Sequence, residues 1–89
     1  MAIGAIFEGQ FTQAQYDQVR QEIAPGNAPP AGLLYHAAGP TVNGWCVFEV
    51  WESREALDRV FNDTLGRAIQ RAGIEVQPRF FEVYNSMPR

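Results

Sequence analysis

Lysine is absent from this 89-residue chain, and all seven basic residues are arginine. That uniformity points to coding bias rather than to a function. Positive charge is also in the minority, since ten acids against seven bases leave a formal net charge of −3. Such a balance lacks the basic face that holding nucleic acid requires, so no nucleic-acid partner is expected. The single cysteine, Cys46, excludes an internal disulfide framework and a cysteine-rich zinc site. No apolar run approaches the ~20 residues of a membrane span, and no membrane partner is expected. The N-terminus shows no basic segment ahead of an apolar stretch, so no secretory signal is read there and the expected setting is cytoplasmic. A glycine-rich nucleotide loop, a catalytic serine motif, a spaced carboxylate pair and a metal-ligand cluster are all missing. An enzyme built without them must hold a reactive substrate in a dry pocket with one or two polar groups. No cofactor and no metal are expected.

What is present describes one folded domain. Apolar residues make up 46% of the chain and charged residues 19%, a globular balance rather than a disordered one. The length admits a single core, assigned to residues 1–85, with 86–89 as a flexible tail. Ala2–Glu8 reads as a short apolar strand. Thr12, with Gln15 three places on, has the pattern of a capping box, and Tyr16, Val19 and Ile23 follow at helical spacing. Pro25 and Gly26 end that helix, and the proline-rich stretch Ala24–Pro30 is a loop. Ala31–Ala38 is the second strand. Gly39–Gly44 reads as a hairpin connection longer than the two-residue type. Trp45–Trp51 is the clearest strand, rich in aromatic and β-branched residues. Ser53 caps a second helix with Leu57, Val60, Phe61 and Leu65 on its buried stripe. A weak patch at Asn62–Gly66 predicts a break there, with Asp63 or Thr64 capping a further helical piece through Ala72. Gly73 stops it. Val76–Asn85 is the last strand, with Pro78 arguing for a sheet edge or a bulged start.

The order β-α-β-β-α-β predicts an α+β, ferredoxin-like fold, with a four-stranded antiparallel sheet and two helices on one face. A displaced self-comparison supports two βαβ halves: Phe7–Glu8 aligns with Phe48–Glu49, Thr12 with Ser53, and Val19 with Val60. Alternate side chains of a strand face opposite ways. In the third strand Trp45, Val47, Glu49 and Trp51 share one face, and Cys46, Phe48 and Val50 share the other. Both faces are apolar, yet two helices cover only one. Leaving the second in water costs several kcal/mol at ~25 cal/mol per Å², comparable to the stability of a small domain. The expectation is a homodimer through the sheet face.

Few side chains offer chemistry. His36 is the one histidine, the side chain that ordinarily titrates near neutrality. It reads either as a general base in a small pocket or as a packed histidine with satisfied ring nitrogens. Tyr35 stands beside it. Trp45 and Trp51 flank Glu49, a frame for a flat aromatic ligand or, alternatively, barrel core and dimer contacts. A carboxylate in an apolar strand needs a partner or a raised pKa, and Arg79 on the last strand is the expected partner for Glu49. Cys46 reads as a small buried hydrophobe.

The element order, the length and the segment Phe48–Leu57, with Glu49, Trp51 and the capping Ser53, resemble the dimeric α/β-barrel superfamily, and within it the small antibiotic-biosynthesis-monooxygenase domains. The resemblance implies a homodimer whose sheets form a barrel with helices outside, and a pocket between sheet and helices in each subunit. It implies, for this chain, a cofactor-independent monooxygenase or isomerase of an aromatic small molecule. A non-catalytic binding module and a structural dimer remain the alternatives. Family members often carry a histidine on the second helix, near where Val60 stands here, and the haem-degrading members need it as iron ligand. With His36 as the only histidine, haem chemistry is not expected.

Overall fold

The computed structural model describes residues 1–88; Arg89, assigned above to the tail, lies outside the described residues. The elements run β1 (Ile3–Gly9), α1 (Gln13–Ile23), β2 (Leu33–Thr41), β3 (Gly44–Trp51), α2 (Arg54–Val60), α3 (Gly66–Arg71) and β4 (Arg79–Glu82). The strands form one four-stranded sheet in the order β2-β3-β1-β4, and every pairing is antiparallel. This is the ferredoxin-like arrangement that the element order predicts.

The helix starts follow from their caps. The Thr12 hydroxyl accepts from the Gln15 backbone N–H, and the Thr12 N–H donates to the Gln15 side chain, so the capping box satisfies two backbone donors at once. Ser53 accepts from the Ala56 N–H in the same way. Pro25 follows α1 at once, and Gly26 and Asn27 take left-handed conformations with φ of 67° and 63°. The chain therefore turns sharply beneath the end of α1.

Three local expectations are corrected. Thr41 pairs directly with Gly44, so the β2–β3 connection is a tight turn of Val42 and Asn43 rather than a longer loop. Gly44 is required there because a Cβ would collide with the carbonyl oxygen of Gly9. The second helix does not break at Asn62–Gly66. It continues from α2 to α3 through a π-helical segment, Phe61–Leu65, and the Thr64 hydroxyl donates back to the Val60 carbonyl instead of capping a new helix. The last strand is shorter than Val76–Asn85. Only Arg79–Glu82 pairs, at the sheet edge, because Pro78 lacks the N–H that would extend the ladder.

The core lies between the helices and one sheet face. Phe7, Phe11, Val47, Trp51 and Leu57 form its larger part, and Val19, Leu65 and Ala68 a second cluster between the helices. Cross-strand partners share a face, so the register assigns Ile6, Tyr35, Phe48, Val50 and Phe81 to the opposite, helix-free side. There the Tyr35 and Phe48 rings lie 6.0 Å apart, and the Phe81 ring covers Gly4 so closely that a side chain at Gly4 would overlap it. Among the described residues, no helix is long and apolar enough to cross a membrane.

Candidate active site

A β-bulge decides which residues of β2 look inward. Leu33 pairs with Trp51, but Tyr35 pairs with Val50 and His36 with Glu49. Leu34 is the extra residue, and it points into solvent with 61% exposure. Simple alternation from Leu33 would bring Tyr35 inward and turn His36 outward. The bulge exchanges them, and His36 stands beside Glu49 on the helix-covered face.

Four side chains there form one hydrogen-bonded line. Glu49, only 4% exposed, accepts from the Trp51 indole N–H at 2.9 Å through Oε1. Its Oε2 lies 2.9 Å from His36 Nδ1. An ionised carboxylate only accepts, so the network assigns a proton to Nδ1, and in a neutral imidazole Nε2 is then the acceptor. The Tyr16 hydroxyl, reaching in from α1, meets Nε2 at 2.5 Å. Burial, first of all, raises the Tyr16 pKa above its ordinary 10.0; Arg20 opposes the rise, and Glu49 and Asp17 add to it. The phenol is therefore neutral at physiological pH and can donate to the neutral imidazole.

This line reaches a cavity of about 580 Å³ between sheet and helices. Phe7 and Val47 of the sheet, Val19 of α1 and Leu65 of the π-helical segment supply apolar walls, while Tyr16, His36 and Glu49 supply convergent polar groups. The π-helical segment adds a residue to its turn, and the buried Leu65 ends it. The arrangement suits proton transfer at an apolar wall: an imidazole accepts, a buried carboxylate steadies the imidazolium, and a phenol passes the proton.

The structure brings together some of the expected residues and separates others. His36 and Glu49 line the cavity. Trp51 does not; it is buried behind Glu49 and holds that carboxylate. Trp45 is also absent from the lining. It packs against Tyr16 with ring centroids 5.8 Å apart, and its buried indole N–H has no partner. Tyr35 lies on the other sheet face against Phe48, displaced by the bulge. Arg79 does not pair with Glu49, because it too lies on the helix-free face, where it reaches Glu8 at 3.5 Å. Cys46 is half-buried on that same face rather than in the core. Tyr16 stood in the sequence only as part of the apolar stripe of α1; the hydroxyl within that stripe was its one signal. Among the described residues, no three of His, Cys, Asp and Glu gather to hold a metal ion.

No family model and no curated protein sequence matches this chain. Solved structures do. A protein provisionally assigned as an antibiotic biosynthesis monooxygenase, from Chloroflexus aurantiacus, superposes with a TM-score of 0.68 at 16% identity, over 97% of this chain and 96% of that one. SnoaB, a cofactor-independent oxygenase from Streptomyces nogalater, does so with a TM-score of 0.62 at 15% identity, over 99% and 95%. Rv0793 from Mycobacterium tuberculosis gives 0.65 at 18%, over 97% and 96%. The likeness is one of fold: a four-stranded antiparallel sheet with helices packed on one face, as in antibiotic-biosynthesis-monooxygenase domain proteins.

Proposed function

We propose that this chain is a cofactor-independent monooxygenase or isomerase acting on a flat aromatic molecule held in the cavity beside His36. The observation that carries the reading is the Tyr16–His36–Glu49 line ending in an apolar cavity. A single buried carboxylate behind a histidine fixes its tautomer and favours the imidazolium that proton abstraction creates. In the oxygenase form, an acidic C–H of the substrate gives its proton to the Tyr16 oxygen as the phenol proton passes to His36 Nε2. The resulting carbanion donates electrons to dioxygen and forms a C–O bond, and the peroxide anion takes the proton back from the Tyr16–His36 pair. Loss of water from the peroxide completes the conversion of CH₂ and O₂ to C=O and H₂O. In the isomerase form, the same pair returns the proton to a different carbon. SnoaB, whose fold is similar, is an oxygenase without a cofactor, which favours the first form.

The proposal includes a homodimer. The helix-free face carries Ile6, Phe48, Val50 and Phe81, and burying it against a second copy stabilises both chains by several kcal/mol at ~25 cal/mol per Å². The test of the activity uses anthrones and dihydroquinones under oxygen, with product formation and oxygen uptake followed together. Turnover should fall about 10²–10⁴-fold in His36→Ala, the usual contribution of a general base. Absence of product above buffer, or equal rates in the variant, defeats the catalytic reading. Saturable binding without turnover would instead establish a non-catalytic binding module.

A further inference from the structure

Among the described residues, Arg20 is the one arginine that lines the cavity, and it is half-buried there. It sits one helical turn beyond Tyr16 on the same face of α1, about 6 Å along the axis at 1.5 Å per residue. No ion pair among the described residues includes it. Its Nη1 instead donates to the Asn27 side chain at 3.2 Å. Asn27 is held in place by the two successive left-handed residues, Gly26 and Asn27, that follow α1. A left-handed conformation is uncommon for a residue other than glycine. With Nη1 occupied, the Nε–Nη2 edge has no partner among the described residues. That edge presents two parallel N–H groups, the geometry that takes a carboxylate side-on. An unpaired guanidinium on an apolar cavity gains most from an anion that comes with the ligand.

We propose that Arg20, held by Asn27, is the specificity residue of the cavity and selects an aromatic acid, whose carboxylate lies about one helical turn from the carbon facing Tyr16 and His36. This rests on the reading of the cavity as a ligand site. The acid end then points away from buried Glu49, and the aromatic body fills the space between Val19 and the sheet. Arg20 sets which molecule is held and takes no proton in the reaction.

Isothermal titration calorimetry with two matched probes separates the possibilities: anthraquinone-2-carboxylate and its neutral carboxamide. The native protein should bind the carboxylate at least tenfold more tightly. Arg20→Gln should bring the carboxylate down to the level of the carboxamide, with carboxamide binding unchanged within about twofold. Arg20→Lys, which keeps a charge but loses the fork, should retain an intermediate preference, and Asn27→Ala should narrow it. Equal binding of both probes by the native protein, or a preference that survives Arg20→Gln, overturns the role of Arg20 and leaves the cavity reading standing. Failure of both probes to bind the native protein overturns both. The native comparison needs no variant to fold.

Discussion

At the residue scale, the site rests on one buried carboxylate, Glu49, that anchors a more exposed His36. His36 and Glu49 were legible in the sequence because each is a lone polar group in an apolar strand, and a buried carboxylate demands donors. The donors themselves were not legible. Trp51 N–H and His36 Nδ1 satisfy Glu49, whereas charge alone nominated Arg79, which the alternation of β4 turns to the other face. Tyr16 shows how a half-buried phenol becomes measurable. Its pKa is raised mainly by burial. Below pH 10 the phenol is neutral in both folded and unfolded chains. As pH rises past that point the unfolded chain ionises first, so stability falls through the window up to the raised value. Urea midpoints of the native protein should therefore drop more steeply above pH 10 than those of Tyr16→Phe. Tyr35 and Tyr84 are exposed and common to both proteins, so they cancel in the comparison. Parallel curves for the two proteins would show that Tyr16 is not desolvated.

At the scale of elements, caps and composition were readable and backbone irregularities were not. Thr12, Gln15 and Ser53 are local signals, and the structure uses each as expected. Thr12→Ala removes a side-chain acceptor from the first turn of α1 and should cost about 1 kcal/mol in urea unfolding. No measurable loss would mean that α1 is held by packing alone. Asn43 is a turn former, but the tight turn at Val42–Asn43 was not legible because the upstream Gly39–Pro40 pair suggested a longer excursion. The bulge at Leu34 left no trace in composition, yet it exchanges Tyr35 and His36 between faces. Period-two reasoning holds only until one extra residue enters a strand. The π-helical segment is similar: Asn62–Gly66 reads as a break, but packing of Leu65 and Ala68 against Val19 sustains the helix across it.

At the scale of the molecule, the layer arrangement followed from counting. The helices cover one face of four strands, and the other face carries an apolar patch of Ile6, Phe48, Val50 and Phe81 beside the Glu8–Arg79 pair. The exposed Tyr35, at 56%, and Phe81, at 46%, are the residues that a second copy would cover. Phe48→Glu places a charge at the centre of that face while leaving the helix-covered core untouched. Sedimentation at micromolar concentration should give twice the chain mass for the native protein and the single-chain mass for the variant. A compact native species of single-chain mass would refute the dimer.

The two tryptophans also make the molecule its own optical gauge. Trp51 is sealed behind Glu49 and sees only the core, so its emission should stay blue and indifferent to what enters the cavity. Trp45 lies against Tyr16 with an unsatisfied indole N–H, and its emission should respond when the phenol beside it changes partner. One chain thus reports, in two colours, whether it is folded and whether it is occupied.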